Sequence, residues 1–233
     1  SLPALTASAA APLDTPSDTG ASAATKTHIT ELLQRIDQTH RFAGVAISPD
    51  GKRVAWTLDL GAGPRVQLAD VDGKRVAGIA LADTHKGCSQ NPPAWSPDGK
   101  RLALLSNCGN GKNTVQQDIY LVDVGAGRAE ARRLTHLDGY AHDLTWTPDS
   151  HKLGILYVPG DTHLIGATAA IKPRVGVIGV TGVEHQAVAL VDAGDGGVRT
   201  LTPASVFAYE YSWSPHADQV AYVAAAPPGT NNW

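Results

Sequence analysis

Trp95-Ser96-Pro97-Asp98-Gly99-Lys100-Arg101-Leu102-Ala103-Leu104 is the stretch whose reading decides the fold. Proline presets φ for the first central position of a turn, aspartate suits the second, and glycine supplies the left-handed residue that follows. The apolar residues on either side then become two antiparallel strands. The same pattern returns as Ile47-Ser-Pro-Asp-Gly-Lys-Arg-Val-Ala-Trp56, as Trp146-Thr-Pro-Asp-Ser-His-Lys-Leu-Gly-Ile155, and more loosely as Trp213-Ser-Pro-His-Ala-Asp-Gln-Val-Ala-Tyr222. The turn prolines stand at 49, 97, 148 and 215.

A second hairpin follows in each unit. Val66-Gln-Leu-Ala-Asp70, Ile119-Tyr-Leu-Val-Asp123 and Val188-Ala-Leu-Val-Asp192 each run into a glycine-containing turn, and return strands end at Ile79-Ala80, Leu134-Thr135 and Leu201-Thr202. Two hairpins in about 50 residues give four antiparallel strands, the signature of a β-propeller blade. The fold class expected is all-β: an incomplete β-propeller of four-stranded antiparallel blades, preceded by one short helix. Three blades are expected over about 43–202, with a fourth starting near Ala208 and truncated at Trp233. Because each blade buries its faces against both neighbours, such a set leaves two apolar faces open.

The propeller region is expected to span 27–233, with residues 1–26 a disordered leader or the linker left after a signal peptide. Ser1–Ala11 is small and apolar and carries the small-x-small pattern of a cleavage site, and the chain of 233 residues holds no Met, as expected of a processed or excised piece. A plain flexible Ala/Ser leader is the alternative. Ile29, Leu32, Leu33 and Ile36 recur at helical spacing behind Thr27 as an N-cap, which predicts a short helix over 28–40. The net charge of −3 lacks the basic excess of a nucleic-acid binder. No stretch approaches the ~18 unbroken apolar residues of a membrane span. The 24 Gly and 15 Pro are about 17% of the chain, above the ordinary ~12% and below the ~25–30% of low-complexity disorder.

Cys88 and Cys108, the two cysteines, flank the Ser96–Gly99 turn. Facing residues of a hairpin centred there have numbers summing to about 197, so the two thiols stand nearly opposite. A disulfide closing this loop would stabilise by about 3 kcal/mol and would require an oxidising compartment, periplasmic or extracellular. Two unconnected thiols are the alternative, since Pro92-Pro93 can shift the register.

The Ser-Pro-Asp-Gly-Lys-Arg units resemble the propeller repeats of TolB-type periplasmic proteins and of the prolyl oligopeptidase family of serine peptidases. The helix containing Thr30-Glu-Leu-Leu33, the stretch Tyr209-Glu-Tyr-Ser-Trp-Ser-Pro215 and the terminal Pro227-Pro-Gly-Thr-Asn-Asn-Trp233 resemble the exported bacterial dipeptidyl-aminopeptidase or acylaminoacyl-peptidase-like branch. That resemblance implies a propeller that gates access to a C-terminal α/β-hydrolase domain, where a Ser-His-Asp triad cleaves short peptides. No Gly-x-Ser-x-Gly occurs in this chain, so no catalytic residue is placed in it. The other implied function is a non-catalytic TolB-type periplasmic propeller that binds protein or peptide partners.

Relatives that release dipeptides hold the substrate's α-ammonium with carboxylates projecting from the propeller. Four glutamates are present, at 31, 130, 184 and 210. Glu184, in the long interval between Pro159 and Gln186, and Glu210, in Tyr-Glu-Tyr, are the candidate substrate-binding residues, each with an ordinary surface charge as its alternative. That interval is too long for a hairpin turn and is either a functional loop or a tolerated insertion. No metal site is expected: His136 and His142 match no zinc spacing, and Asp50, Asp98 and Asp149 serve their own turns. No cofactor is expected. Trp95, Trp146 and Trp213 are expected to pack between blades.

Overall fold

A computed structural model describes residues 23–37, 41–74, 76–81, 84–85, 87–110, 116–125, 130–160, 185–216 and 218–226. The expected leader lies outside them, apart from its last few residues. The chain divides into two units, 1–39 and 40–233. In the first, helix α1 spans Ala23–Asp37. It starts ahead of the expected residue 28, because Ala23 and Ala24 are strong helix formers, and Thr27 therefore sits inside the helix rather than capping it.

Among the described residues of the second unit every regular element is a strand. These are β1 Arg41–Ile47, β2 Arg53–Asp59, β3 Pro64–Asp70, β4 Val76–Gly78, β5 Ala80–Leu81, β6 Ala94–Trp95, β7 Arg101–Ser106, β8 Asp118–Asp123, β9 Glu130–Arg133, β10 Gly139–Trp146, β11 Lys152–Pro159, β12 Ala187–Asp192, β13 Val198–Thr200, β14 Phe207–Trp213 and β15 Val220–Ala225. They form four sheets in the orders β1-β2-β3-β4, β5-β9-β8-β7-β6, β10-β11-β12-β13 and β14-β15. Consecutive strands pair antiparallel within each sheet, so these are the blades of an incomplete propeller.

One pairing was not legible in the repeat. After β4 the chain leaves the first sheet, and β5 adds in parallel to the outer edge of the second, with Ala80 opposite Glu130 and Leu81 opposite Ala131. The second sheet is also short on its inner side: Pro92 and Pro93 carry no N–H for the ladder, so β6 is two residues long and Gln90 joins Ser106 by an isolated bridge.

Each expected turn is closed by a side-chain hydroxyl. Ser48 donates to Asp50 at 2.6 Å and accepts the Arg53 N–H at 2.9 Å; Ser96 with Asp98 and Thr147 with Asp149 repeat this geometry. The accepted hydroxyl bond, first among the causes, lowers the pKa of all three aspartates. In the fourth copy His216 replaces the aspartate, and Ser214 reaches Asp218 instead, at 2.6 Å. Ser150 stands where the first two turns have glycine, at φ 63°, and its hydroxyl accepts the Asp98 N–H from the neighbouring sheet at 3.0 Å.

Three apolar seams join the sheets. Ala55 and Val66 of the first meet Leu102, Leu104, Tyr120 and Val122 of the second; Ala103, Leu105, Ile119 and Leu121 meet Leu153, Ile155, Ala189 and Val191 of the third; Leu156 and Val188 meet Ala208, with Tyr211 and Val220 packed alongside. Each repeat tryptophan bonds across a seam: Trp95 to the Ala46 carbonyl, Trp146 to the Ala94 carbonyl and Trp213 to the Thr145 hydroxyl, all at 3.0 Å. The backbones approach closely here. At Gly44, φ 64°, an added Cβ would lie 2.3 Å from Pro92.

Candidate functional site

Strand direction sorts the loops into two groups. The Ser-Pro-Asp-Gly turns lie at one end of the sheets, because they join the end of each first strand to the start of the second. At the opposite end lie the C-terminal ends of β2, β7 and β11, the starts of β3, β8 and β12, and the crossings between sheets. Loops carried by a rigid scaffold are the usual place for recognition, so this second end is where a site is sought.

Two devices fix that end. Cys88 and Cys108 are joined by a disulfide, with Cα atoms 4.8 Å apart and both residues buried. The register accounts for it: facing residues sum to 197 at Ala94↔Ala103 but to 196 at Gln90↔Ser106, beyond the two prolines, and the cysteines also sum to 196. Next to it the fully buried Asp118 accepts the Leu137 N–H at 2.6 Å, the Thr135 hydroxyl at 3.1 Å and the Asn110 amide at 3.0 Å, and forms an ion pair with Arg133. Arg133 also donates to the carbonyls of Gly109 and Thr135, at 3.0 and 3.1 Å. Every lone pair of this buried carboxylate therefore has a donor, which makes Asp118 a tie between the disulfide loop and the third sheet rather than a free reactive group.

The seam between the third and fourth sheets carries two exposed acids. Glu210 stands in β14 immediately after a bulge at Tyr209, opposite Val223, and is exposed. Asp143 occupies the same repeat position, five residues ahead of its turn proline, at a bulge in β10 with φ 52°. Its carboxylate is 62% exposed and lies 3.2 Å from His142 Nδ1. Tyr211, beside Glu210, donates to the Asp143 carbonyl at 2.5 Å and accepts from Thr145 at 2.9 Å, and burial pushes its phenol above the ordinary range. His142 Nε2 is 2.9 Å from Gln186 Oε1, and the Gln186 amide donates to the Ala208 carbonyl at 2.7 Å.

Glu210 and Asp143 are thus set at equivalent bulges of adjacent inner strands. Two exposed carboxylates can accept charge-assisted hydrogen bonds from a cation such as an ammonium. Glu184, the other sequence candidate, lies outside the described residues. Asp143 was missed because it reads as an ordinary loop acid; its signal is the offset from Pro148, which matches that of Glu210 from Pro215. Among the described residues no three His, Cys, Asp or Glu side chains gather as a metal site, and no helix is long and apolar enough to cross a membrane.

No protein-family profile matches the chain. Dipeptidyl-peptidase 5 of Trichophyton equinum is 28% identical over 134 residues, 52% of this chain and 18% of that protein. The chain thus spans less than a fifth of the length of the curated relatives it matches. TolB from Acinetobacter baumannii shares the fold with a TM-score of 0.53 and 22% identity, over 82% of this chain and 39% of TolB. The acylaminoacyl peptidase of Pyrococcus horikoshii shares it with a TM-score of 0.50 and 15% identity, over 75% of this chain and 27% of that one. The chain thus has the fold of β-propeller blades and is similar in sequence, over about half its length, to dipeptidyl-peptidase 5. The Ser-Pro-Asp-Gly turns are closed by their own hydroxyl and carboxylate groups, and Asp143 and Glu210 stand exposed at the bulged inner strands of the third and fourth sheets.

Proposed function

We propose that this propeller is the substrate-gating part of an exported serine peptidase that cleaves short peptides, its triad residing in an α/β-hydrolase domain elsewhere in the parent polypeptide. The observation that carries the reading is the sequence match to dipeptidyl-peptidase 5, laid on successive antiparallel sheets of a repeated blade. The propeller restricts entry by size. Glu210, with Asp143 one blade away, receives the α-ammonium of the peptide, and Glu184 is a further candidate on the long loop. A periplasmic or extracellular location fits the Cys88–Cys108 bond, which persists under oxidising conditions.

The test is hydrolysis of chromogenic dipeptide amides by the natural gene product, with free and with acetylated amino termini. Glu210→Gln is expected to raise KM for the free-amino substrate by about tenfold or more, the cost of a lost hydrogen bond to a charged group. It leaves hydrolysis of the acetylated one unchanged. Equal kinetics for wild type and variant on both substrates would remove Glu210 from the site. The second reading, a non-catalytic periplasmic propeller binding protein or peptide partners, draws on the fold shared with TolB over 82% of this chain. It predicts no hydrolysis of either substrate.

A further inference from the structure

We propose that Tyr211 is a positioning residue: its hydroxyl holds the Asp143 bulge of the third sheet in place, so that the Asp143 carboxylate and Glu210 receive one peptide α-ammonium together. The inference rests on the ammonium reading of these two acids and adds to it a residue that touches no substrate. Its basis is a hydrogen-bonded chain found at one seam of the three. Trp213 Nε1 donates to Thr145 Oγ1 at 3.0 Å, Thr145 Oγ1 donates to Tyr211 Oη at 2.9 Å, and Tyr211 Oη donates to the Asp143 carbonyl at 2.5 Å. An indole N–H can only donate and a carbonyl only accept, so both hydroxyl protons point along the chain toward Asp143.

The other seams show that blade packing alone does not require this chain. There Trp95 and Trp146 donate directly to backbone carbonyls, those of Ala46 and Ala94. Thr145 stands at that same repeat position, one residue ahead of Trp146, and Tyr211 stands where the earlier sheets have Val45, Pro93 and Leu144, none of which carries a hydroxyl. The third sheet makes room for it. Gly154 stands where the earlier sheets have Ala55 and Ala103, and an added Cβ would lie 2.5 Å from Trp213 Cζ2 and 2.7 Å from Tyr211 Cε2. What the chain holds is a backbone in a disfavoured conformation: Asp143 sits at φ 52°, the left-handed region that favours glycine, and the first sheet has Gly44 at this position with φ 64°. An aspartate kept at a glycine position needs a tie. The Tyr211 hydroxyl supplies it through the backbone, while the Asp143 carboxylate stays 62% exposed, with His142 Nδ1 3.2 Å away. Burial keeps the phenol protonated and therefore a donor.

Binding of a dipeptide and of its Nα-acetyl derivative to the natural gene product, followed by calorimetry, tests this without requiring turnover. Tyr211→Phe keeps the ring against Gly154 and removes only the hydroxyl. It is expected to weaken the free-amino dipeptide about fivefold, the worth of one ordinary hydrogen bond, and to leave the acetylated one unchanged. Asp143→Gly weakens the free-amino dipeptide as well, and adding Tyr211→Phe to it changes nothing further, because the carboxylate that the hydroxyl positioned is gone. A Tyr211→Phe loss that persists in the Asp143→Gly background, or that is equal for both ligands, makes Tyr211 a packing residue and overturns the inference. Unchanged affinity in Tyr211→Phe beside weakened binding in Asp143→Gly overturns the positioning role and keeps the two acids. Unchanged affinity in both Asp143→Gly and Glu210→Gln removes the ammonium reading itself, and this inference with it.

Discussion

The first seam of the propeller and the two that follow use the same repeat but satisfy its buried backbone differently. In the second and third blades a threonine hydroxyl accepts the N–H that opens the third strand's core: Ile119 to Thr135 at 2.9 Å and Val188 to Thr202 at 3.1 Å. In the first blade Ala80 stands at that sequence position, and its strand has moved away to pair with β9. The Val66 N–H goes instead to Gln90 Oε1 at 2.7 Å, and the Gln90 amide donates to the Ile79 carbonyl at 3.3 Å. Gln90 belongs to the segment that the disulfide anchors, and Arg65 donates to the Cys88 carbonyl at 2.6 Å from the first blade. A local cap has been replaced by a long-range one. A buried donor tolerates loss of its partner only if another residue supplies the acceptor, and here that residue is held by a covalent link.

Breaking that link should therefore separate the seams. Cys88→Ala with Cys108→Ala is expected to lower stability by about 3 kcal/mol for a loop of this length, measured by urea unfolding. Amide exchange should accelerate first at Val66 and leave Ile119 and Val188 near their original rates; uniform acceleration at all three would mean the disulfide acts on the unfolded chain alone. Gln90→Ala leaves one buried donor and one buried carbonyl unsatisfied and should cost about 2 kcal/mol, against about 1 kcal/mol for Thr202→Val, which orphans a single N–H. Equal costs would show that the glutamine cap is no more demanding than the threonine it replaces.

The smallest effect lies at the turn end. The folded-state pKa values of Asp50, Asp98 and Asp149 are lowered, so the stability they contribute is fully present above the ordinary value of 3.8 and is lost as the pH falls through the folded values. These carboxylates are nearly all solvent-facing, so the contribution is small. Ser96→Ala should lower stability more at neutrality than in acid, and so flatten the acid limb of the stability profile below pH 3.8. An unchanged acid limb would exclude the Ser96–Asp98 bond as its source.

Much of the fold was legible because the turn chemistry repeats. Pro, Asp and Gly at fixed offsets gave the hairpins, and the apolar runs beside them gave the strands and the inter-blade role of Trp95, Trp146 and Trp213. The parallel pairing of β5 was not legible, since two residues of an edge strand carry no periodic signal. Gln90 and Asp118 were also invisible: each is a lone polar residue whose partners lie 8 to 24 residues away and are brought together only by packing. Of the candidate site, Glu210 stands out in the sequence as a rare glutamate between two tyrosines. Asp143 was not, because its equivalence depends on a bulge, and bulges on inner strands leave no mark in composition.

The measurement that tests the central claim most directly is the intact mass of the natural gene product before and after treatment with a fluorophosphonate that labels activated serines. The account predicts a polypeptide longer than this chain by the size of a hydrolase domain, gaining one adduct at a serine outside residues 1–233. A mass that leaves no room for such a domain, with no adduct formed, would contradict the peptidase reading and leave a binding propeller in its place.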